Sequence, residues 1–289
     1  LIKVLITRNG ELLTSSDEKK LNSAIDFVMD NFIKEDRKFG ISLLLENLTE
    51  DINDENSLKS RLELWKKGNK FGWVFDNEYD LLDFPDEIKI FGIDGTEFLD
   101  DKEVSAPISH YILMRSMSLV DGRRFALFMD EAWKWLENEL VADETKNKLK
   151  TIRKQNGLFY LASQSAEDFL KMKIAAAIVE QCATQIFFAN IKATKKDYID
   201  GLSTTPEEFN TIKNFIVSEY KCLIKQNGTA AVVSLDLSSL GSLLNILSTG
   251  AAHVDAIKQI FKEDISLDEK VAKLKAYYAK SKTTKEDKR

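Results

Sequence analysis

Apolar residues recur at helical spacing through the first quarter of the chain. Leu21, Ile25, Val28, Met29, Phe32 and Ile33 make one stripe, ending near Asp36. Ser15 or Ser16 is placed to cap that helix, which would begin at Asp17. Phe39 to Leu48 predicts a second helix, and Leu58, Leu62 and Trp65 mark a third before Lys67-Gly68-Asn69. Residues 1–7 fit either a strand or the tail of a helix. Residues 8–68 thus read as a mostly helical lobe outside any main sheet. The pattern then changes. Phe71-Gly72-Trp73-Val74-Phe75 and Ile88 to Ile93 are aromatic and β-branched runs, and both predict short strands. A helix follows through Pro107 with Ile108, Tyr111, Ile112 and Met114, and Arg115 lies near its end.

From residue 125 the spacing is that of alternating strands and helices. Phe125-Ala126-Leu127-Phe128-Met129 is an unbroken apolar run, which suits a strand buried on both faces. A helix over roughly 134–154 is stopped by Asn156-Gly157. Leu158 to Ala162 predicts a second strand, and Ser165 with Asp168 a helix cap. That helix carries Phe169, Ile174, Ala177, Ile178 and Cys182, and Thr184 to Ala189 is a third strand. The succession is βαβαβ, the signature of a parallel sheet with right-handed crossovers. Its strands end in Asp130-Glu131, Gln164 and Asn190, which would share one edge. Thr194 to Ile199 reads as a short helix. Thr205-Pro206-Glu207-Glu208 is a strong helix start, and Asn227-Gly228 predicts a hairpin between 220–225 and 229–235. Helices are expected over 251–263 and 268–279, then a solvated basic tail from Lys280.

The polar residues add chemistry at one place. Asp130 and Glu131 fall where a buried strand runs out, the edge at which open α/β sheets bind ligands. An Asp there can hold Mg²⁺, and the next Glu can polarise a water for attack on a γ-phosphate. A solvent-facing acidic pair at a helix start accounts for the same residues. Composition narrows the rest. The 289 residues carry a formal net charge of −6, which argues against wholesale nucleic-acid binding but not against a local basic patch. Cys182 and Cys222 fit buried thiols in a reducing compartment, and His110 and His253 are isolated from any metal-type cluster. No apolar run is long enough to span a membrane. Leu1 opens directly on an apolar run, so the chain reads as a piece of something longer.

Larger motifs carry a resemblance. Phe-Gly-Trp-Val-Phe-Asp-Asn at 71–77 and Phe-Gly-Ile-Asp-Gly-Thr-Glu-Phe-Leu-Asp at 91–100 are two of them. Tyr111 to Arg115, Asp130-Glu131-Ala132-Trp133, Thr151 to Gly157, Ala162 to Asp168, Ala183 to Asn190, Asp197-Tyr198, Leu223 to Gln226 and Leu235-Asp236-Leu237 follow in order. Over roughly 70–265 the chain resembles the large cytoplasmic ATPases of type IV secretion and conjugation systems, relatives of the conjugative coupling and DNA-pumping ATPases. The resemblance implies an α/β fold: a RecA-like P-loop NTPase core, a mostly parallel sheet flanked by helices, with a helical insertion. It divides the chain into an insertion lobe (8–68), a nucleotide-binding core (69–265) and a C-terminal helix with a basic tail (266–289). One part is missing. No Gly-Lys-Thr or Gly-Lys-Ser loop occurs in the sequence. The expectation is truncation, with the first strand and the P-loop upstream of Leu1 and this fragment inactive alone.

The resemblance also implies roles. ATP and Mg²⁺ are the expected cofactors, with Asp130 as the Mg²⁺ ligand and Glu131 as the base that orders the attacking water. Gln164 would sense the γ-phosphate. Arg153 would act in trans on a neighbour's phosphate, as an arginine finger does, although a helix-end cation accounts for it equally. Arg115 is a weaker candidate for the same duty. Lys225 and Gln226, beside the hairpin turn, would face the nucleotide or a subunit interface, or simply form a surface hairpin. The full-length protein would be a motor coupling ATP hydrolysis to substrate transfer or pilus assembly. It would work as a homo-oligomer, a six-membered ring by resemblance. Its place would be the cytoplasmic, inner face of the bacterial membrane, with other secretion-system subunits and a membrane complex as partners. Two alternatives stand beside this reading: a DNA-translocating coupling ATPase, with direct nucleic-acid binding left open, and a non-catalytic scaffold.

Overall fold

The computed structural model describes residues 1–7, 13–33, 40–49, 54, 56–77, 79–80, 82–85, 89–241, 243–247 and 253–286. The helical first quarter forms as expected, with shifted ends. Residues 2–6 are helical rather than extended (α1, Ile2–Ile6). The next helix (α2, Ser15–Val28) is capped by Thr14, not by Ser15 or Ser16. Thr14 Oγ1 accepts the Asp17 amide, and the Asp17 carboxylate accepts the Thr14 amide in return. Two short helices follow (α3, Ile41–Glu46; α4, Leu58–Glu63). Phe32, Ile33 and Phe39, assigned to these stripes in sequence, lie outside the described side chains.

Both runs read as strands between 71 and 93 prove otherwise. Residues 72–75 form one helical turn (α5, Gly72–Phe75). Gly72 lies so close to the preceding segment that a Cβ would fall 2.1 Å from the Lys66 carbonyl oxygen, so the chain turns here instead of extending. Asp76, nearly buried, then accepts the amides of Ile41 and Lys67 and the Ser42 hydroxyl, locking the turn to α3. Residues 89–93 carry no ladder, and Ile90 is 88% exposed. An aromatic run predicts burial and extension, but a strand also needs a neighbour to receive its amides. Trp65, Phe71, Val104 and the α1–α4 apolar faces share one core, so the helical lobe draws in residues beyond 68. Leu62 is fully buried there. Leu62→Ala should cost the chain about 3 kcal/mol, read as a fall in urea midpoint at unchanged slope; a loss under about 1 kcal/mol would contradict this core.

A longer helix (α6, Ser105–Met117) leads to the first strand (β1, Phe125–Met129), a single turn (α7, Ala132–Trp135), and a helix capped by Asn138 (α8, Glu139–Ile152). The second strand (β2, Gly157–Leu161) pairs with β1 in parallel, from Phe125 opposite Gly157 to Met129 opposite Leu161. The expected next helix is two (α9, Ala166–Lys171; α10, Ala175–Gln181). One face of the β1–β2 pair packs on these helices through Leu127, Met129, Phe159 and Leu161. The other face is open among the described residues: Phe128 is 71% exposed and stacks on Tyr160 at 4.3 Å. The strand expected to be buried on both faces is therefore covered on one.

The third strand (β3, Thr184–Phe188) does not extend this pair. It joins a hairpin (β4, Lys221–Gln226; β5, Thr229–Ser234) in an antiparallel sheet of order β3–β4–β5. The fold is α/β with a parallel strand pair, but among described residues it is not the single parallel sheet that βαβαβ predicts. Asn190 accordingly belongs to a different sheet's end from Asp130-Glu131 and Gln164. The chain divides into two compact units, 1–183 with 194–204, and 184–193 with 205–289. In the first, residues 196–201 form a wide helical turn where a short helix was expected. In the second, Thr205 caps its helix (α11, Pro206–Asn214) with the expected reciprocal bond to Glu208. Asn227 and Gly228 both take positive φ, as the two-residue hairpin requires. Among the described residues three further helices follow (α12, Leu243–Leu247; α13, Val254–Lys262; α14, Leu267–Glu286), the last continuing into the stretch expected to be a solvated basic tail. No described helix is long and apolar enough to cross a membrane.

Candidate functional site

The parallel register brings Asp130-Glu131 and Ser163-Gln164 to the same carboxyl edge. The ladder does not simply stop there. The Ala162 amide donates to Met129 O and the Ala132 amide donates to Ala162 O, both at 2.9 Å. Met129 and Ala132 are thus both tied to Ala162, and the two acids between them are looped out. Glu131 turns the corner in the left-handed region, at φ 48°, ψ 49°. A β-carbon makes that conformation cost about 1–2 kcal/mol, and strain of this kind collects at functional edges. Asp130 is exposed, and its Oδ1 accepts the Glu131 amide at 3.0 Å.

Two indoles hold the excursion. Trp133 Nε1 donates to Glu131 Oε2 at 2.7 Å, and Trp135 Nε1 donates to Asp130 O at 3.2 Å. Their helix is anchored from the 94–101 segment: Phe98 meets Trp135 edge-on at 5.5 Å, and Lys134 pairs with Asp100 at 2.5 Å. Gly95 approaches so closely that a Cβ would fall 3.1 Å from the Trp135 ring. Neither tryptophan is among the site residues expected from the sequence; the signal for them is their position just after the acid pair.

The other expected site residues are placed less compactly. Gln164 is exposed in the turn before α9, beside the Ser165 cap that accepts the Asp168 amide. Arg153 lies in the turn before β2, at the opposite edge of the strand pair. Five strand residues separate the two edges by roughly 15 Å, so Arg153 does not meet Asp130 within one chain. Arg115 is engaged on its own face. Its Nη2 donates to Leu82 O at 2.7 Å, and its Nε lies 3.5 Å from Asp80 Oδ2, too far for a well-formed hydrogen bond. Burial, then the adjacent Asp80 carboxylate, push the neighbouring Tyr111 phenol up to about 12. Lys225 and Gln226 belong to the second unit. There Lys225 pairs with Glu208 at 2.9 Å, well shielded from solvent, and Gln226 Nε2 donates to Thr184 Oγ1 at 3.0 Å. Cys182 and Cys222 are free, and burial pushes the Cys182 thiol up.

Among the described residues no group of three His, Cys, Asp or Glu side chains could cage a metal. A lone exposed carboxylate at a strand end is instead the donor set Mg²⁺ uses when waters and substrate phosphates supply its remaining ligands. Asp130 fits that demand.

A parallel strand pair that ends in a looped-out acidic edge, with helices packed on one face, makes this an α/β domain. The profile of the TraG P-loop domain matches residues 13–207, and the chain belongs to that family. It is 39% identical over 273 residues to the type IV secretion system protein virB4 of Brucella suis, covering 91% of this chain and 32% of that protein. It is 36% identical over 265 residues to the type IV secretion system protein PtlC of Bordetella pertussis, covering 90% of this chain and 32% of that protein. The chain thus spans about a third of the length of the curated relatives it matches. The solved structure of VirB4 of Thermoanaerobacter pseudethanolicus superposes with a TM-score of 0.62 at 15% identity, covering 83% of this chain and 68% of that one, a likeness of fold.

Proposed function

We propose that these residues form the metal-and-water side of an ATP site in a type IV secretion motor. The observation that carries the reading is the looped-out Asp130-Glu131 pair at the carboxyl edge of β1, with Glu131 held in a left-handed turn. Membership of a P-loop domain family and the secretion-system relatives support it. Bound Mg²⁺ would supply charge neutralisation on the β- and γ-phosphates. Asp130 would offer it a hard oxygen. Glu131 would accept the proton of the attacking water, and Gln164, on the neighbouring strand end, would report the γ-phosphate to α9. A Gly-Lys-Thr/Ser loop, which these 289 residues do not contain, would complete the phosphate cradle from elsewhere in the full-length protein. Arg153, at the far edge, would serve a neighbouring copy's nucleotide, which calls for a closed ring of subunits, six by family resemblance. Turnover would drive substrate transfer or pilus assembly at the inner face of the cell membrane, with other secretion subunits as partners.

The test is steady-state phosphate release with Mg²⁺ and ATP. The full-length protein should turn over and stop when EDTA removes the metal, while the 289-residue chain alone should release no phosphate above background. Robust turnover by the 289-residue chain, or none by the full-length protein, would overturn the reading.

A further inference from the structure

We infer that Trp133 is the positioning residue of Glu131, holding one carboxylate oxygen so that the other meets the attacking water. The inference rests on the assignment of Glu131 as the base. Three observations carry it. The Nε1 to Oε2 separation of 2.7 Å is that of a charge-assisted bond. Trp65 and Trp135 donate their indole N–H groups to backbone carbonyls, of Leu5 and Asp130; Trp133 gives its own to a side-chain carboxylate. The indole is also fixed: half-buried, it packs against the core around Met129, Ala132 and Leu136, and Lys134 Nζ lies 5.6 Å above its ring.

Glu has rotatable bonds that a backbone turn cannot restrain, and a general base works only within hydrogen-bond reach of its proton. Glu131 leaves the β ladder in a left-handed turn and gains no side-chain restraint from the ladder. A rigid donor two residues on, at the first turn of α7, supplies that restraint. With Oε2 committed to the indole, Oε1 is the oxygen that takes the water's proton. The water oxygen bonds to the γ-phosphorus as the bond to the bridging oxygen breaks, and ADP leaves with that electron pair.

The experiment uses the full-length protein. Trp133→Phe removes the donor, and benzothienylalanine at 133 keeps the indole's shape while replacing its N–H by sulfur, so a folding defect of the first leaves the second informative. Both should lower kcat about tenfold with KM for Mg²⁺·ATP within about twofold. Neither should lower turnover further in a Glu131→Gln background, because residues acting as a unit are not additive. Wild-type kcat in both variants, with Glu131→Gln inactive, would overturn the positioning role and leave the base assignment standing. A raised KM at unchanged kcat would do the same. Full turnover in Glu131→Gln would overturn both.

Discussion

Glu131→Gln in the full-length protein should bind nucleotide as the wild type does and lose turnover by about 10²–10⁴-fold. Gln matches Glu in size and can still accept the Trp133 N–H at the 2.7 Å contact. The left-handed turn is a property of the backbone between Met129 and Ala132, both tied to Ala162, so the substitution leaves the edge in place. What it removes is the negative charge and the proton-accepting oxygen. The loss should therefore fall on kcat and spare KM, the pattern of an interaction made in the transition state. Phosphate release measured beside equilibrium binding of a fluorescent nucleotide separates the two. Unchanged turnover would remove Glu131 from the mechanism; lost binding would recast it as structural.

Asp130→Ala should behave in the opposite sense. Asp130 is exposed, one peptide before the left-handed corner, and its Oδ1 accepts the next amide. Its loss should leave β1 and β2 paired, because the ladder bonds around it run through Met129, Ala132 and Ala162 backbone. The metal should suffer instead. Replacing even an outer-shell partner of a metal site costs 10–100-fold in affinity, and a direct ligand should cost at least about that much. Nucleotide binding without divalent metal should be unaffected.

Much of the local structure was legible in residue pattern. Thr205-Pro206 with Glu208, and Asn227-Gly228, each encode one local geometry, and both are found. The runs 125–129 and 158–162 were unbroken, apolar and partly aromatic, and bounded by turns, which suffices to name a strand. It does not name a partner. Ile186 and Phe188 in β3 read like Phe128 and Tyr160, yet β3 lies against β4 with Ile186 opposite Ile224. Apolar content equally failed to say how many faces are covered, as the exposed Phe128 shows. The 71–75 run misled because the decisive fact, the approach of Gly72 to Lys66 O, is a tertiary contact. At the site, the placement of Asp130 and Glu131 at the carboxyl end of a strand was visible from residue type and position. The indole bond to Glu131 was not, because this i to i+2 contact forms across a left-handed turn between strand and helix.

The central claim is that the carboxyl edge of β1 holds the metal of a nucleotide complex. Titration of Mn²⁺, standing in for Mg²⁺, into the full-length protein with ATP tests it most directly, since the free ion is counted by its paramagnetic resonance signal. Wild type should bind Mn²⁺·ATP tightly, and Asp130→Ala should bind it at least about tenfold more weakly while its affinity for ATP in EDTA stays unchanged. Equal Mn²⁺·ATP affinity in the two proteins would contradict the claim.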